Sequence, residues 1–225
     1  MNKTSFLFKG IDVSKHQKAG KVNFYNLPKL GYSFVMLRAG YGKELGQRDS
    51  AFESHYAAAK AAGLNVGAYH YSYAKTVAEA EREADCLLTW IKGKKFEYPI
   101  VFDLEDKCQK KLTNAQRTDI AIAFLNRIEA AGYYAMLYSS ASWLGSKFNW
   151  NREYDGVALK HFDVWCAAYV GFKDRIKRYY DGNFGMWQYT SSKIMPSVYA
   201  GRLDCNYAYK NYPAIIKRAN LNPIR

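Results

Sequence analysis

The sequence predicts an α/β protein in which eight strands close into a barrel. Five strand-like apolar segments alternate with helical segments along the first part of the chain. Three more strand-like segments then follow one another without helices between them. Alternation of strands and helices is typical of a parallel sheet with helical crossovers, and eight strands are enough for such a sheet to close on itself.

The first half of the chain is predicted to hold four strands and their connections. The strands are expected at residues 6–14, 34–40, 65–72 and 98–106. A short helix or turn is expected at 23–30, and helices at 50–62 and 76–91. Ser50 is predicted to cap the first of these helices because Glu53 stands at the capping-box position, and Gly63 is predicted to end it.

The second half begins with the longest predicted helix, at residues 113–131. Thr113 is its expected N-cap, with Gln116 three residues on and Gly132 at its end. A fifth strand at 134–139 and a short helix around Trp143 follow, and residues 149–160 are expected to be irregular. The last predicted elements are three strands and a terminal helix, at residues 164–169, 185–189, 202–207 and 208–218.

Length and composition favour one globular domain over residues 1–225, because no linker, repeat or low-complexity segment interrupts the chain. Aromatic residues make up 16% of the chain, which suits a groove that stacks against sugar or base rings, but also a plain aromatic core. Lys and Arg outnumber Asp and Glu by 33 to 20, a formal net charge of +13. Such a charge implies attraction to a polyanion, which could be nucleic acid, an anionic cell wall or a membrane surface.

The four cysteines show neither CxxC spacing nor a paired histidine pattern, so we expect no zinc site and no other metal. Cys166 and Cys205 lie within predicted strands and should be small buried apolar residues. Cys86 and Cys108 could form a disulfide, and the sequence leaves this open. Residues 1–10 lack the apolar stretch of a signal peptide, and no run of 18 apolar residues occurs, so neither secretion by a leader nor membrane insertion is expected.

The fourth predicted strand ends in carboxylates. Asp103 and Glu105 are two residues apart, so an extended chain places them on one face, roughly 7 Å apart. Two such acids can hold different pKa values, one protonated and one charged, as glycoside hydrolysis requires. The alternative is a strand that has ended, with its acids in a solvated loop.

Two further acids are predicted to reach the same place. Asp12 lies near the end of the first strand and Asp204 within the eighth, and these strands are neighbours in a closed barrel. The fourth strand lies across from them, and a flattened barrel would bring it close. Because barrel enzymes carry their chemistry at the carboxyl ends of strands, we expect all four acids at one mouth.

Residues in or just after strands supply candidate contacts for a sugar ring. Arg38 points toward the same end and is expected to pair with one of the acids. For His70, which lies in the third predicted strand, a hydrogen-bonded structural role is an equal alternative. The candidate substrate-binding residues are Tyr41, Tyr69, His70, Tyr138, Trp165, Trp187 and Gln188.

Several motifs occur together in one order along residues 8–210. They are Gly10-Ile11-Asp12-Val13-Ser14 with Gln17, Arg38-Ala39, Val66-Gly67-Ala68-Tyr69-His70, Asp103-Leu104-Glu105, Trp187-Gln188-Tyr189 and Asp204-Cys205-Asn206-Tyr207. With this ordered set, the sequence resembles the glycoside hydrolase family 25 lysozymes, which include bacterial autolysins and phage endolysins. Each motif alone is weak, whereas the ordered set with an acid pair on the fourth strand is specific.

The resemblance implies a flattened TIM-like barrel of five β/α units followed by three strands. It implies cleavage of the β-1,4 bond between N-acetylmuramic acid and N-acetylglucosamine in peptidoglycan, without a cofactor. Glu105 matches the general acid, Asp103 its partner, and Asp12 and Asp204 the remaining acids of the site. The sequence departs from the family pattern around Tyr41 and after His70, at positions that bear on the preference for particular sugars and not on the reaction.

Three classes of function remain to be weighed. An active muramidase is favoured because none of the four acids is missing, whereas a catalytically inactive glycan-binding protein would tolerate their loss. A nucleic-acid-binding protein would cluster basic residues with aromatics on one element, and here the basic residues are scattered. We therefore expect a monomer that acts on bacterial peptidoglycan outside the cell, without a separate wall-binding module. Release from the cytoplasm through a holin would fit the expected lack of a leader.

Overall fold

The computed structural model describes residues 7–222 and shows a closed eight-stranded barrel with helices outside it, as the alternating pattern predicts. The barrel strands are β1 to β8: Phe8–Val13, Tyr32–Tyr41, Asn65–Tyr71, Ile100–Asp103, Ala135–Ser140, Asp163–Ala167, Met186–Met195 and Tyr199–Ala208. The α-helices of the described part are α1 to α5: Phe52–Ala61, Val77–Ile91, Asn114–Ala130, Ala141–Ser146 and Tyr212–Arg218. Phe6, the predicted start of the first strand, and the rest of the N-terminal segment before Leu7 lie outside the described residues.

The strands follow one another around the barrel in chain order, and β8 closes it against β1. Neighbouring strands from β1 to β7 are parallel, whereas β8 is antiparallel to both β7 and β1. In the register of β1 and β8, Asp12 lies opposite Asp204. Because β8 runs the other way, the residues that it contributes to the mouth of the barrel come from its middle rather than from its end.

The core has two layers, separated by the wall of the barrel. Inside, Met36 and Val101 pack with other large side chains, and Tyr212 of α5 belongs to the same cluster. Outside, Leu37 and Phe102 pack against the helices. Successive strand residues therefore enter different layers, as the two-residue period of a strand requires.

Two predicted helix starts are wrong. α1 begins at Phe52, and Ser50 is exposed and makes no hydrogen bond to its first turn. The Ala51 N–H instead donates to Asp49 Oδ1 at 2.9 Å, because Asp49 is buried beside the start of the helix. α5 begins at Tyr212 rather than at residue 208, since Ala208 still pairs within the sheet and the Asn211 side chain caps the helix.

The end of the chain contains more strand than predicted. β7 and β8 extend into a long antiparallel hairpin that includes residues 190–201. The segment expected to be irregular holds a small hairpin of Glu153–Tyr154 and Val157–Ala158. All four cysteines are free, so the disulfide between Cys86 and Cys108 that the sequence leaves open is not formed. Among residues 7–222, no helix is both long and apolar enough to cross a membrane.

Candidate active site

A cleft of about 280 Å³ lies at the mouth of the barrel, where the parallel strands end. It contains all four acids that the sequence singled out. Its lining residues are Asp12, Ser14, His16, Arg38, Tyr69, Tyr71, Asp103, Glu105, Tyr138, Trp165, Tyr169, Gln188, Ser191 and Asp204. Acids from three distant parts of the chain therefore meet in one cavity.

A larger cavity of about 450 Å³ lies elsewhere, around Asp163 at the start of β6. The Asp163 carboxylate there already accepts hydrogen bonds from the hydroxyls of Tyr134 and Tyr212 and from Lys210 Nζ. A carboxylate whose oxygens are satisfied in this way fixes local structure. We therefore take the smaller, acid-rich cleft as the candidate active site.

Asp12 is held by two amides and is almost completely buried. Its Oδ2 accepts hydrogen bonds from Gln188 Nε2 at 2.9 Å and from Asn206 Nδ2 at 2.8 Å. The indole of Trp165 orients Asn206 by donating to its Oδ1 at 2.9 Å. Asp12 thus has a fixed orientation before any ligand enters.

Gln188 is oriented in the same way from the other side of the cleft. The hydroxyls of Tyr138 and Tyr169 both donate to its Oε1, at 3.0 and 2.8 Å. Its amide nitrogen is therefore the group that faces Asp12. The predicted candidates Gln188, Tyr138 and Trp165 all line the cleft, and each of them belongs to the network that positions Asp12.

The Asp12 and Asp204 carboxyls titrate as a pair. Burial, and then the charge of Asp204, raise the pKa of Asp12 from its ordinary value to about 8. Burial also raises the pKa of Asp204, to about 6, while a hydrogen bond with Asp12 holds it lower than burial alone would. At neutral pH the shared proton therefore resides mainly on Asp12, and Asp204 carries the negative charge.

Asp103 and Glu105 differ in exposure although both line the cleft. β4 ends at Asp103, so Glu105 lies in the following loop and not in the predicted strand. Asp103 is 5% exposed, and burial, followed by the charges of Glu105 and Asp12, raises its pKa well above its ordinary value. Glu105 is partly exposed, and burial, followed by the charges of Asp106 and Asp204, raises its pKa to about 7.

The third acid of this segment has a different role. Asp106 accepts hydrogen bonds from the Tyr71 hydroxyl at 3.0 Å and from the Cys108 N–H at 2.8 Å. Burial would raise its pKa, but these hydrogen bonds outweigh burial, and the pKa of Asp106 is lowered. Asp106 thus stays ionised beside Glu105 and helps to keep Glu105 protonated.

Three predicted substrate-binding residues do not line the cleft. His70 and Trp187 lie on the outer face of the barrel, because their neighbours Tyr69 and Gln188 occupy the inner face. His70 is fully buried, stacks on Trp90 and lies 3.5 Å from Glu83, so these two predictions are wrong. Tyr41 is at the rim, with Lys15 Nζ 5.0 Å from its ring centre.

The pairing predicted for Arg38 is also wrong. Its Nε donates to Asp49 Oδ2 at 2.7 Å, and none of the four cleft acids is its partner in the described part of the chain. Asp49 was not selected from the sequence because it lies in a loop outside the predicted strands, and only the fold brings it beside β2, where its N–H donates to the Ala39 carbonyl.

Several residues of the cleft and of the network around Asp12 were not among the predicted candidates, and two of them follow from strand periodicity. Tyr71 is two residues beyond Tyr69 in β3, and Asn206 is two residues beyond Asp204 in β8. Tyr169 lies after β6, where no period applies, and it is 58% exposed. Within residues 7–222, no group of three or more His, Cys, Asp and Glu side chains could hold a metal ion.

Comparisons with known proteins agree with this barrel and its cleft. The model of a family described as glycosyl hydrolases family 25 matches residues 11–198. The solved structure of the CTP1L endolysin superposes with a TM-score of 0.75 at 26% identity, covering 94% of this chain and 70% of that one.

Two curated relatives are longer than this chain. The D-alanyl-L-alanine endopeptidase of Streptococcus phage B30 is 30% identical over 148 residues, which cover 63% of this chain and 31% of the relative. The autolytic lysozyme of Clostridium acetobutylicum is 28% identical over 173 residues, 73% of this chain and 49% of the relative. The chain thus matches from about a third to a half of the length of these proteins.

Proposed function

The chain belongs to glycosyl hydrolases family 25, and from this premise we propose that it is a lysozyme that hydrolyses bacterial peptidoglycan. We propose the β-1,4 bond between N-acetylmuramic acid and N-acetylglucosamine as the bond cleaved. The site of action would be the bacterial cell wall, and the working form a monomer. The name of the Clostridium acetobutylicum relative supports this reaction.

One observation carries the proposal: Glu105 is a partly exposed carboxyl whose pKa is raised to about 7, in a cleft with three other acids. A general acid must hold a proton near the working pH and must reach the leaving oxygen. Asp103 is too deeply buried for that task, and Asp106 is kept ionised. Glu105 is thus the proton donor to the glycosidic oxygen in this proposal.

Bond cleavage leaves positive charge on the sugar, and the cleft offers negative charge to stabilise it. Asp204 supplies that charge, because Asp12 holds the proton that the two share. The fixed amides of Gln188 and Asn206 keep Asp12 in place throughout.

Asp103 has two routes open to it. It can attack the sugar as a nucleophile, or it can orient the substrate's own acetamido group, which then attacks. The buried environment raises its pKa well above the ordinary value, which weakens it as a nucleophile, and its Oδ1 has no hydrogen-bond partner among the described residues. We therefore favour the second route, in which Oδ1 accepts the acetamido N–H. Trapping of a covalent sugar on Asp103 by mass spectrometry would contradict it.

Replacement of Glu105 by Gln tests the assignment of the acid. We expect Glu105→Gln to lower wall lysis by at least about a hundredfold, because general acid catalysis contributes on that order. A turbidity assay on bacterial walls measures the loss. The control is Glu153→Gln, an exposed glutamate in the small hairpin, which should lyse walls like the parent protein.

Muropeptide analysis tests the bond. New reducing ends on muramic acid support the proposal, whereas new ends on glucosamine or cut stem peptides would overturn it. Cut stem peptides would agree with the endopeptidase name of the phage B30 relative rather than with the name of the autolytic lysozyme. If the parent protein binds walls but releases no new ends, the result would support the alternative of a catalytically inactive glycan-binding protein.

A further inference from the structure

Arg38 is the one side chain with a permanent positive charge among the residues that line the cleft. It extends from β2 and is nearly buried, with 11% of the side chain exposed. The other ionisable groups of the lining are the four acids, His16 and the tyrosines, none of which is a permanent cation. An acceptor oxygen that enters this cleft therefore finds one fixed cation.

The position of Arg38 is set by Asp49. The Asp49 side chain is fully buried, and its Oδ2 accepts from Arg38 Nε at 2.7 Å and from the Lys15 N–H at 3.0 Å. Its Oδ1 accepts from the Ala51 N–H at 2.9 Å. Because Asp49 is fixed by two backbone groups, the guanidinium is oriented before a substrate arrives.

One end of the guanidinium is left without a partner. Arg38 Nη2 is buried and has no hydrogen-bond partner in the described part of the chain. The same is true of Asp103 Oδ1, which belongs to the same cleft. A buried donor without an acceptor is unfavourable, and a ligand in the cleft could satisfy both of these atoms.

We propose that Arg38 is a substrate-binding residue, whose guanidinium donates to a carbonyl or carboxylate oxygen on a substituent of the sugar bound beside Asp103. A guanidinium has donors only, so its ligand must be an acceptor. Asp204, the member of the acid pair that stays charged at neutral pH, repels an anionic oxygen, which leaves Arg38 as the group in the lining that attracts one. This inference rests on the proposed function. Two substituents of the sugar carry such an oxygen: the acetamido group, and the lactyl group that only muramic acid has.

An electrostatic role is the competing explanation. Arg38 lowers the pKa of Asp103, so it could act only by keeping an acid ionised. Burial and the charges of Glu105 and Asp12 act on the pKa of Asp103 more strongly than Arg38 does, which argues against this as its main task. A residue of that kind would change the pH profile while leaving KM unaltered.

The test compares Arg38→Met and Arg38→Lys with Arg48→Met. Arg48 is half-exposed, pairs with Glu53 and does not line the cleft, so it controls for the loss of one positive charge. We expect Arg38→Met to raise KM for soluble glycan strands about ten- to a hundredfold, with kcat nearly unchanged, since a hydrogen bond to a charged group is lost. The KM of Arg38→Lys should lie between those of Arg38→Met and the parent, because an ammonium keeps the positive charge but lacks the planar, forked donors of a guanidinium.

Binding is measured separately from turnover, by adding each change to Glu105→Gln and titrating with peptide-free glycan strands. The strands are used before and after chemical reduction of the lactyl carboxyl group to an alcohol. A binding penalty that disappears on reduced strands assigns Arg38 to the lactyl oxygen, and one that persists assigns it to the acetamido carbonyl. Thermal melting of each variant identifies any that fail to fold, and Arg38→Lys, which keeps the ion pair with Asp49, then carries the comparison.

The inference is overturned if Arg38→Met and Arg38→Lys bind glycan strands as tightly as Arg48→Met does. It is also overturned if only the pH profile moves and KM does not. Neither result would contradict the proposed function, which fails only if the parent protein releases no reducing ends on muramic acid. Failure of the two ideas can thus be told apart.

Discussion

At the scale of single residues, burial separates the roles of similar carboxyls. Asp103 and Glu105 are two positions apart, but the strand ends between them, so one is buried and the other partly exposed. Asp106, one residue further, is ionised because hydrogen bonds from Tyr71 and Cys108 stabilise its charge. Composition alone does not distinguish these acids, since their local surroundings set the pKa of each.

The pKa of Glu105 leads to a prediction for the pH profile. A general acid works in its protonated form, so activity should fall as the pH rises through about 7. Asp106→Asn removes a negative charge that raises this pKa, so the decline should move to lower pH. Initial rates on soluble glycan strands at constant ionic strength measure both effects. Activity that keeps rising from pH 6 to pH 9 would contradict the assignment of Glu105.

The paired acids lead to a second prediction, on stability. The pKa of Asp12 is about 8 in the fold and 3.8 in a free side chain, so the stability that its protonated form provides is complete below pH 3.8 and is lost as the pH rises through 8. Asp12→Asn stays neutral and keeps an oxygen for Gln188 and Asn206. We therefore expect its Tm at pH 8 to exceed that of the parent by at least about 2–4 °C, as a gain of about 1 kcal/mol gives at this size.

The stability difference should shrink towards pH 4, where Asp12 is protonated in the fold. Thermal melts at pH 4, 6 and 8 measure this difference. Asn206→Ala is the control with the opposite expected effect, a lower Tm, because it removes a hydrogen-bond donor from Asp12. Equal melting temperatures of Asp12→Asn and the parent at pH 8 would show that the burial of Asp12 has no cost. The gain should come with a loss of wall lysis, since Asp12 lines the proposed active site.

At the scale of elements, strand periodicity explains most of what was correct and what was wrong about the cleft. Tyr69 and Gln188 face the barrel mouth, so their neighbours His70 and Trp187 must face the helices. The sequence marks all four as polar or aromatic residues near strand ends, and residue type does not reveal the face. If one inward-facing residue were known in each strand, the faces of all its other residues would follow, and the two errors would disappear.

Helix capping gives a matched pair of variants. Thr113 accepts a hydrogen bond from the Gln116 N–H at 3.2 Å, and Gln116 Oε1 accepts one from the Thr113 N–H, which completes the predicted capping box of α3. Thr113→Ala should cost about 1 kcal/mol, a fall in Tm of about 2–4 °C. Ser50→Ala should leave Tm unchanged, because Ser50 makes no such bond. Thermal melting decides, and equal losses would contradict the observed start of α1.

The sequence predicts local elements well where short-range signals determine them. The first three strands, Thr113 and Gly63 are correct because capping and periodicity act within a few residues. The fourth strand is shorter than predicted, since it ends at Asp103. The predicted strands are shorter than β7 and β8. The polar outer part of their hairpin is extended because the two strands pair with each other there. Asp49 was missed for a similar reason, since only the fold brings it to Arg38.

At the scale of the whole molecule, closure of the barrel creates the site. Asp12 and Asp204 lie at opposite ends of the chain, yet β1 and β8 place them in register. The parallel neighbours of β1 bring Asp103 to the same end. The cleft is therefore a property of the closed fold rather than of any one segment.

The net charge of +13 is also a property of the whole molecule, and it leads to the last prediction. Peptidoglycan in many walls carries anionic polymers, and a basic protein collects on such a surface through long-range attraction. Salt screens this attraction, with a Debye length of about 10 Å at 0.1 M and about 3 Å at 1 M. We expect wall lysis to fall about tenfold between these salt concentrations, whereas hydrolysis of short uncharged glycan fragments should change little, because their reaction depends on the cleft alone. Lysis that is insensitive to salt would show that the basic surface does not concentrate the protein on its substrate.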